Sequence, residues 1–414
     1  MAMPRDRLFA ATAMLLVFAV FVWQTPLCQS QEKSTASVAT IVIKGSLPES
    51  PGGPGLFGET QQNLSELIKR LDQAASDEKI DAIVLKLRSP ALGRGKVNEV
   101  RDAIARVRQK DKRIIAEMQV GNTADYLIAC ACDEIVMPES GYPVVPGVRF
   151  ELMYMKGLFE KIGLQPDFMQ MGKYKGASEP YTRTGASPEF RGQLELVVDD
   201  FYASLVDDIA SSRKLEKEQA ERAIYGGLFT AVDAMNAGLI ARVMYEDQFE
   251  GQLARQLRVD EIEYEKNYAA KKVDTDFSGF TGFMRLIELV IGLEPNTIAS
   301  RNKKIAVVYA IGPIMTGSSQ QSILSGEVMG SDTIVKALRT AAEDKTVEAI
   351  VLRVDSPGGS AVASDMIWRE IQHIDKPVYA SMGDTAASGG YYISMGCDKI
   401  FAEPGTLTGS IGVV

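Results

Sequence analysis

Histidine is almost missing from this chain. Its 414 residues contain one, His373, so any Ser–His–Asp relay confined to these residues has a single side chain on which to run. That side chain lies in MIWREIQHIDKP, just ahead of an expected strand. A helix-end histidine near the carboxyl-terminal dipole is the plain reading. Cysteine is scarce too. Cys28, Cys130, Cys132 and Cys397 are too few for a disulfide framework, and no Cys/His spacing matches a zinc site. No metal or other cofactor is expected. Positive charge is not in excess either: the net charge is −9, with no Lys/Arg block, which argues against nucleic acid as a partner.

What is present begins with one apolar run. Leu8 to Trp23 reads LFAATAMLLVFAVFVW, broken only by Thr12 and preceded by Arg5 and Arg7. It is shorter than a membrane span of about 20 residues and longer than most signal-peptide cores of roughly 7–15. The expectation is an uncleaved signal anchor over 1–28, arginines on the cytoplasmic side and the body beyond the inner membrane; a cleaved signal peptide is the alternative. Residues 29–39 read as a polar tether. An apolar fraction of 46% is enough for a real core.

The body is written twice. Residues 75–88 are ASDEKIDAIVLKLR and residues 342–355 are AEDKTVEAIVLRVD. The register links Ala82 to Ala349 and Ser89 to Ser356, then Tyr126 to Tyr391, Cys132 to Cys397 and Gly147 to Gly412. A repeat defines the fold unit. Within it, TIVIK (40–44), AIVLKL and RIIAEM read as strands. Leu64, Leu67, Ile68 and Leu71 share one helical face, and Asn98–Arg108 reads as a second helix. Strands alternating with helices indicate an α/β fold. The units are expected at 40–272 and 304–414, with a Gly/Pro-containing linker at 273–303. Cys132 and Cys397, as repeat equivalents, read as a shared small buried position. The second unit has no counterpart to the later part of the first, so the expectation is a fragment of a longer protein whose second unit is incomplete and unstable by itself.

The copies differ where chemistry is expected. Unit two has Ser410 in TLTGSIGVV where unit one has Val145, and Pro357-Gly358-Gly359 where unit one has Pro90-Ala91-Leu92. Glycines after a strand let backbone N–H groups face an oxyanion; an ordinary turn reads the same way. Ser388, before Gly389-Gly390, fits a nucleophile or an N-cap. Thr408-Gly409-Ser410-Ile411-Gly412 is not the Gly-x-Ser-x-Gly elbow of the hydrolases. Lys173 and Lys175, in MGKYKGASEP, read most simply as surface charges.

Taken together, TLTGSIGVV, DSPGGS, AASGGYYIS and YKGASEP resemble the signal peptide peptidase family in its long, two-repeat form. That resemblance implies a ClpP/crotonase-like fold and a Ser–Lys dyad. Ser410 matches the nucleophile and Lys175 the general base. Gly358 and Gly359 match the oxyanion hole, Gly359 being the first choice of donor, and Lys173 falls outside the matched Tyr-Lys pair. It implies a bacterial inner-membrane, periplasm-facing endopeptidase acting on hydrophobic signal peptides as a homotetramer, with the site completed between adjacent subunits. A lysine base must lose roughly three pKa units to work at neutral pH, which demands burial; Lys175 is therefore expected to be buried beside Ser410. Three other readings stand. Ser388 acts as a ClpP-type nucleophile, the scaffold does crotonase-type acyl-CoA chemistry, or it is a non-catalytic membrane protein.

Overall fold

A computed structural model describes residues 34–50, 62–270, 302–322 and 326–414. The apolar run at 8–23 and nearly all of the expected linker lie outside the described residues. Unit one is built on a six-stranded parallel sheet. Its order is Arg242–Val243, Glu134–Met137, Arg113–Met118, Ala82–Pro90, Thr35–Gly45 and Glu261–Lys266. The strand Ala82–Pro90 has an apolar run because both its faces are covered. Ile83, Leu85 and Leu87 pack under the helices Leu64–Ser76 and Arg94–Gln109. Ala82 and Val84 face Phe249 and Leu253 of the helix Glu246–Leu257. The helix Leu64–Ser76 starts where Asn63 accepts a 2.8 Å hydrogen bond from the Glu66 N–H, and Leu64, Leu67 and Leu71 line its buried face.

The first strand begins earlier than the expected Thr40. Thr35–Ala39, read from sequence as the end of a tether, pair with Glu261–Glu265, and Ala36 and Val38 are buried. The signal for this strand lay more than 200 residues away, in its partner.

Unit two repeats the plan with the parallel strands Lys399–Phe401, Val378–Ala387, Val347–Ser356 and Lys304–Ile311, while Leu407–Gly409 pairs with the far end of Val378–Ala387. Ile350, Leu352 and Val354 pack under the helices Ser331–Glu343 and Ala361–Ile371. The other face of the sheet differs between the copies. Val38 of unit one is fully buried, whereas its counterpart Ile305 is 64% exposed. The repeat extends to weak contacts as well: the Cys132 thiol lies 3.9 Å from the Ile128 carbonyl, and the Cys397 thiol 3.9 Å from the Ile393 carbonyl. The expected shared buried position holds for Cys132 only, since Cys397 is half-buried; burial still pushes both thiol pKa values up, as in packed rather than reactive thiols.

The two units meet through the amino terminus of the helix Arg94–Gln109, which abuts Gly383 and Asp384 where the register shifts inside the strand Val378–Ala387. A Cβ on Gly95 would lie 2.7 Å from the Gly383 carbonyl oxygen. Alanine in place of a helical glycine ordinarily stabilises by about 1 kcal/mol. Here Gly95→Ala is expected to lower stability instead, by about 1–3 kcal/mol, since neither backbone can give way; thermal unfolding of the two proteins reads the sign.

Candidate active site

Lys175 comes from unit one. It precedes a short 3-10 turn, Gly176–Ser178, that leads into the helix Glu179–Thr182. The turn is fixed from below. The buried Glu179 carboxylate accepts from the Ser187 N–H at 2.7 Å and from its hydroxyl at 2.5 Å, and Ser187 caps the long helix Pro188–Arg213. This turns the Lys175 side chain inward, leaving it 8% exposed, while Lys173 and Tyr174 stay at the surface. Its methylenes lie about the Gly412 backbone, where an added Cβ would sit 3.6 Å from them.

The Lys175 Nζ lies 2.9 Å from the Ser410 Oγ, 3.2 Å from the Ser388 Oγ, and also contacts the Ser410 carbonyl. Both serines have positive φ, 53° for Ser388 and 51° for Ser410. Ser388 sits at the sharp junction between the strand Val378–Ala387 and the helix Gly389–Ser394 and donates its backbone N–H to the Gly409 carbonyl at 2.8 Å. That bond ties the two serine turns together, so one amine reaches both hydroxyls.

No carboxylate pairs with Lys175 among the described residues, and burial alone holds its pKa below the ordinary lysine range. Lys96 shows the opposite outcome. Burial also acts against its charge, but Asp355, Asp384 and Glu49 outweigh it and raise the pKa. A buried lysine surrounded by carboxylates stays an ammonium; one facing hydroxyls and a carbonyl is the one that can lose its proton.

The Gly358–Gly359 loop adjoins this group. Gly358 has φ 94°, and a Cβ there would sit 2.8 Å from the Ser388 Cβ. The Gly358 N–H donates to the Ser356 Oγ at 3.1 Å, whereas the Gly359 N–H has no acceptor among the described residues. Of the two expected donors, Gly359 is the one left for a ligand. Val145, the counterpart of Ser410, is buried in the core of unit one and bonds through its N–H to the Gly227 carbonyl at 2.8 Å. His373 is exposed and takes no part; its Nδ1 lies 2.7 Å from the Arg369 carbonyl at a helix end. No group of three or more metal-ligating side chains occurs among the described residues.

One expectation is corrected. The resemblance implied that Lys175 and Ser410 meet between adjacent subunits, the residues themselves left a meeting within one chain equally open, and a single chain of this length was expected to hold both without bringing them together. They meet within one chain, because the Met171 N–H bonds to the Val413 carbonyl at 3.1 Å and joins the lysine segment of unit one to the serine segment of unit two. Sequence reasoning also missed that Ser388 is a neighbour of Lys175 rather than only a rival of Ser410.

Paired α/β units with parallel sheets, a glycine loop after the second strand and a serine at a strand-to-helix turn define a ClpP/crotonase-like protein. The profile of peptidase family S49 matches residues 106–260 and 370–414, spans that include Lys175, Ser388 and Ser410. The chain is 32% identical over 93% of its length to a chloroplastic serine protease SPPA of Arabidopsis thaliana, covering 54% of that relative. It is 32% identical over 84% of its length to protease 4 of Haemophilus influenzae, covering 55% of it. Against protease 4 of Salmonella typhi it is 28% identical over 96% of its length, covering 65%. The chain is thus similar to peptidase family S49 and to its SppA and protease 4 members, and spans between half and two-thirds of the length of these relatives.

Proposed function

We propose that this chain carries the active site of a serine endopeptidase in which Ser410 is the nucleophile and Lys175 the general base. The carrying observation is the 2.9 Å contact between the Ser410 Oγ and a buried amine that has no carboxylate partner among the described residues. The neutral amine accepts the Ser410 proton as Oγ bonds to the scissile carbonyl carbon. The Gly359 N–H is the candidate donor to the oxyanion. The ammonium then returns the proton to the departing amine as the C–N bond breaks, leaving an acyl-enzyme. Water attacks the ester, with the same nitrogen taking its proton and handing it to the Ser410 Oγ.

Hydrophobic peptides, cleaved signal peptides among them, are the proposed substrates. The surface around the site supports this: Met169, Met171 and Ile411 are 90%, 74% and 74% exposed, offering apolar contact area to an extended chain. Attachment to the inner membrane through the run at 8–23, with the body outside the cytoplasm, belongs to the same proposal. It rests on sequence, since no helix of the described residues is long and apolar enough to cross a membrane. A homo-oligomer remains part of the reading, but completing the dyad does not require one.

A second reading makes Ser388 the nucleophile. Its φ of 53° and ψ of −114° at a strand-to-helix turn favour it, since strained turns of this kind expose catalytic serines in other hydrolases. Cleavage of casein by full-length protein separates the two. The proposal expects Ser410→Ala to abolish cleavage and Ser388→Ala to slow it by no more than about tenfold, the worth of one hydrogen bond to the amine. The reverse order transfers the nucleophile to Ser388.

A further inference from the structure

The helix Arg94–Gln109 lacks a cap of its own. Gly93 precedes it and offers no side chain, whereas its repeat counterpart Ser360 caps the helix Ala361–Ile371 through the Ala363 N–H at 3.3 Å. The missing acceptor comes from the other unit: the Asp384 Oδ1 takes a 2.9 Å hydrogen bond from the Lys96 N–H. Gly93 makes room for this, since a Cβ there would fall 2.3 Å from the Asp384 Cγ. The Lys96 ammonium is enclosed by carboxylates of both units, 3.1 Å from Asp355 Oδ2, 3.5 Å from Asp384 Oδ2 and 3.8 Å from Glu49 Oε1. Its counterpart in unit two is Ala363, an apolar core residue. The interaction was therefore built into one copy only.

The two unit-two carboxylates held by Lys96 sit at the roots of the site. Asp355 leads directly into Ser356 and the Gly358–Gly359 loop, and its Oδ1 accepts from the Thr385 N–H at 3.0 Å. Asp384 and Thr385 in turn lead to Ser388. Lys175 rides on unit one and its partners on unit two, so the geometry of the dyad depends on how the units dock.

We propose that Lys96 is a positioning residue: by binding Asp384 and Asp355 together it fixes the oxyanion loop and the Ser388 turn of unit two against the unit that carries Lys175. It touches no reacting atom. This rests on the Ser–Lys reading above, and the test keeps the two apart. Full-length protein is titrated with a fluorophosphonate, and the inactivation constant kinact and the binding constant KI are measured separately. Lys96→Met is expected to lower kinact by about 10- to 100-fold, the range for a misplacement near 1 Å, with KI within twofold. Amide exchange in peptides spanning 355–360 and 383–388 should rise, with no global unfolding. If Lys96→Met does not fold, Asp384→Asn, which keeps the cap acceptor but drops the charge, is expected to show the same split. A kinact within twofold of wild type, or a loss confined to KI, overturns the proposal. If labelling persists in Ser410→Ala, the dyad reading fails, but exchange at the two peptides still decides the role of Lys96: unchanged exchange overturns it.

Discussion

Lys175→Met is expected to slow fluorophosphonate labelling of the protein by about 10²- to 10⁴-fold, the usual contribution of a general base, while the fold survives. Methionine keeps an unbranched stem that can lie along Gly412 and removes only the amine. The loss comes from chemistry because no other base is in place among the described residues: His373 is exposed at a helix end, and Lys96 is held as an ammonium by three carboxylates. The pH dependence gives a second handle. The base must be neutral, so the rate rises with pH through the pKa of Lys175. Burial moves that pKa down, so the wild-type rate should climb and level off below the pH at which an ordinary lysine titrates. In Lys175→Met the ascending limb should vanish along with the rate. A limb retained in the variant assigns the base to another group.

Arg353→Met is expected to cost about 3–5 kcal/mol of stability, the range for removing one member of a buried ion pair. Arg353 is 8% exposed. Its guanidinium donates to both oxygens of Glu49, at 3.0 and 2.9 Å, to the Ser381 Oγ at 2.9 Å, and to Glu99. Burial acts against its charge, but Glu49 and Glu99 outweigh it and raise its pKa above the usual arginine value. Without the cation, Glu49, itself 4% exposed, keeps only the more distant Lys96. The Glu99 carboxyl already sits above its usual pKa through burial, even with Arg353 beside it. Because Glu49 and Glu99 belong to unit one and Arg353 to unit two, the loss should appear as weaker docking of the units. Denaturant unfolding measures it. A change under 1 kcal/mol would mean that apolar packing at this boundary, not the ion cluster, holds the units together.

The strands and the repeat were legible because they are local. AIVLKL and AIVLRV are short apolar runs of the kind that forms buried parallel strands, although only the first is covered on both faces; Ala349 and Val351 of the second are half-buried. Lys175 was legible through its Tyr-Lys segment, and its burial through the demand of the chemistry. The charges between the units were not legible, because Lys96 and Asp384 stand 288 residues apart and each alone reads as surface. One trace was present: comparing copies puts Gly93 where Ser360 caps its helix, and a helix that has lost its cap invites the question of what replaced it. The meeting of Lys175 and Ser410 within one chain depended on how the units dock, which neither repeat encodes alone.

The central claim is that one amine from the first unit activates Ser410 of the second. Its most direct test is peptide mapping by mass spectrometry of full-length protein labelled to half-completion with a fluorophosphonate, run in parallel on Lys175→Met. The account predicts a single adduct on Ser410 in the wild type and almost none in the variant. An adduct on Ser388, or one on Ser410 that forms equally fast without Lys175, would contradict it.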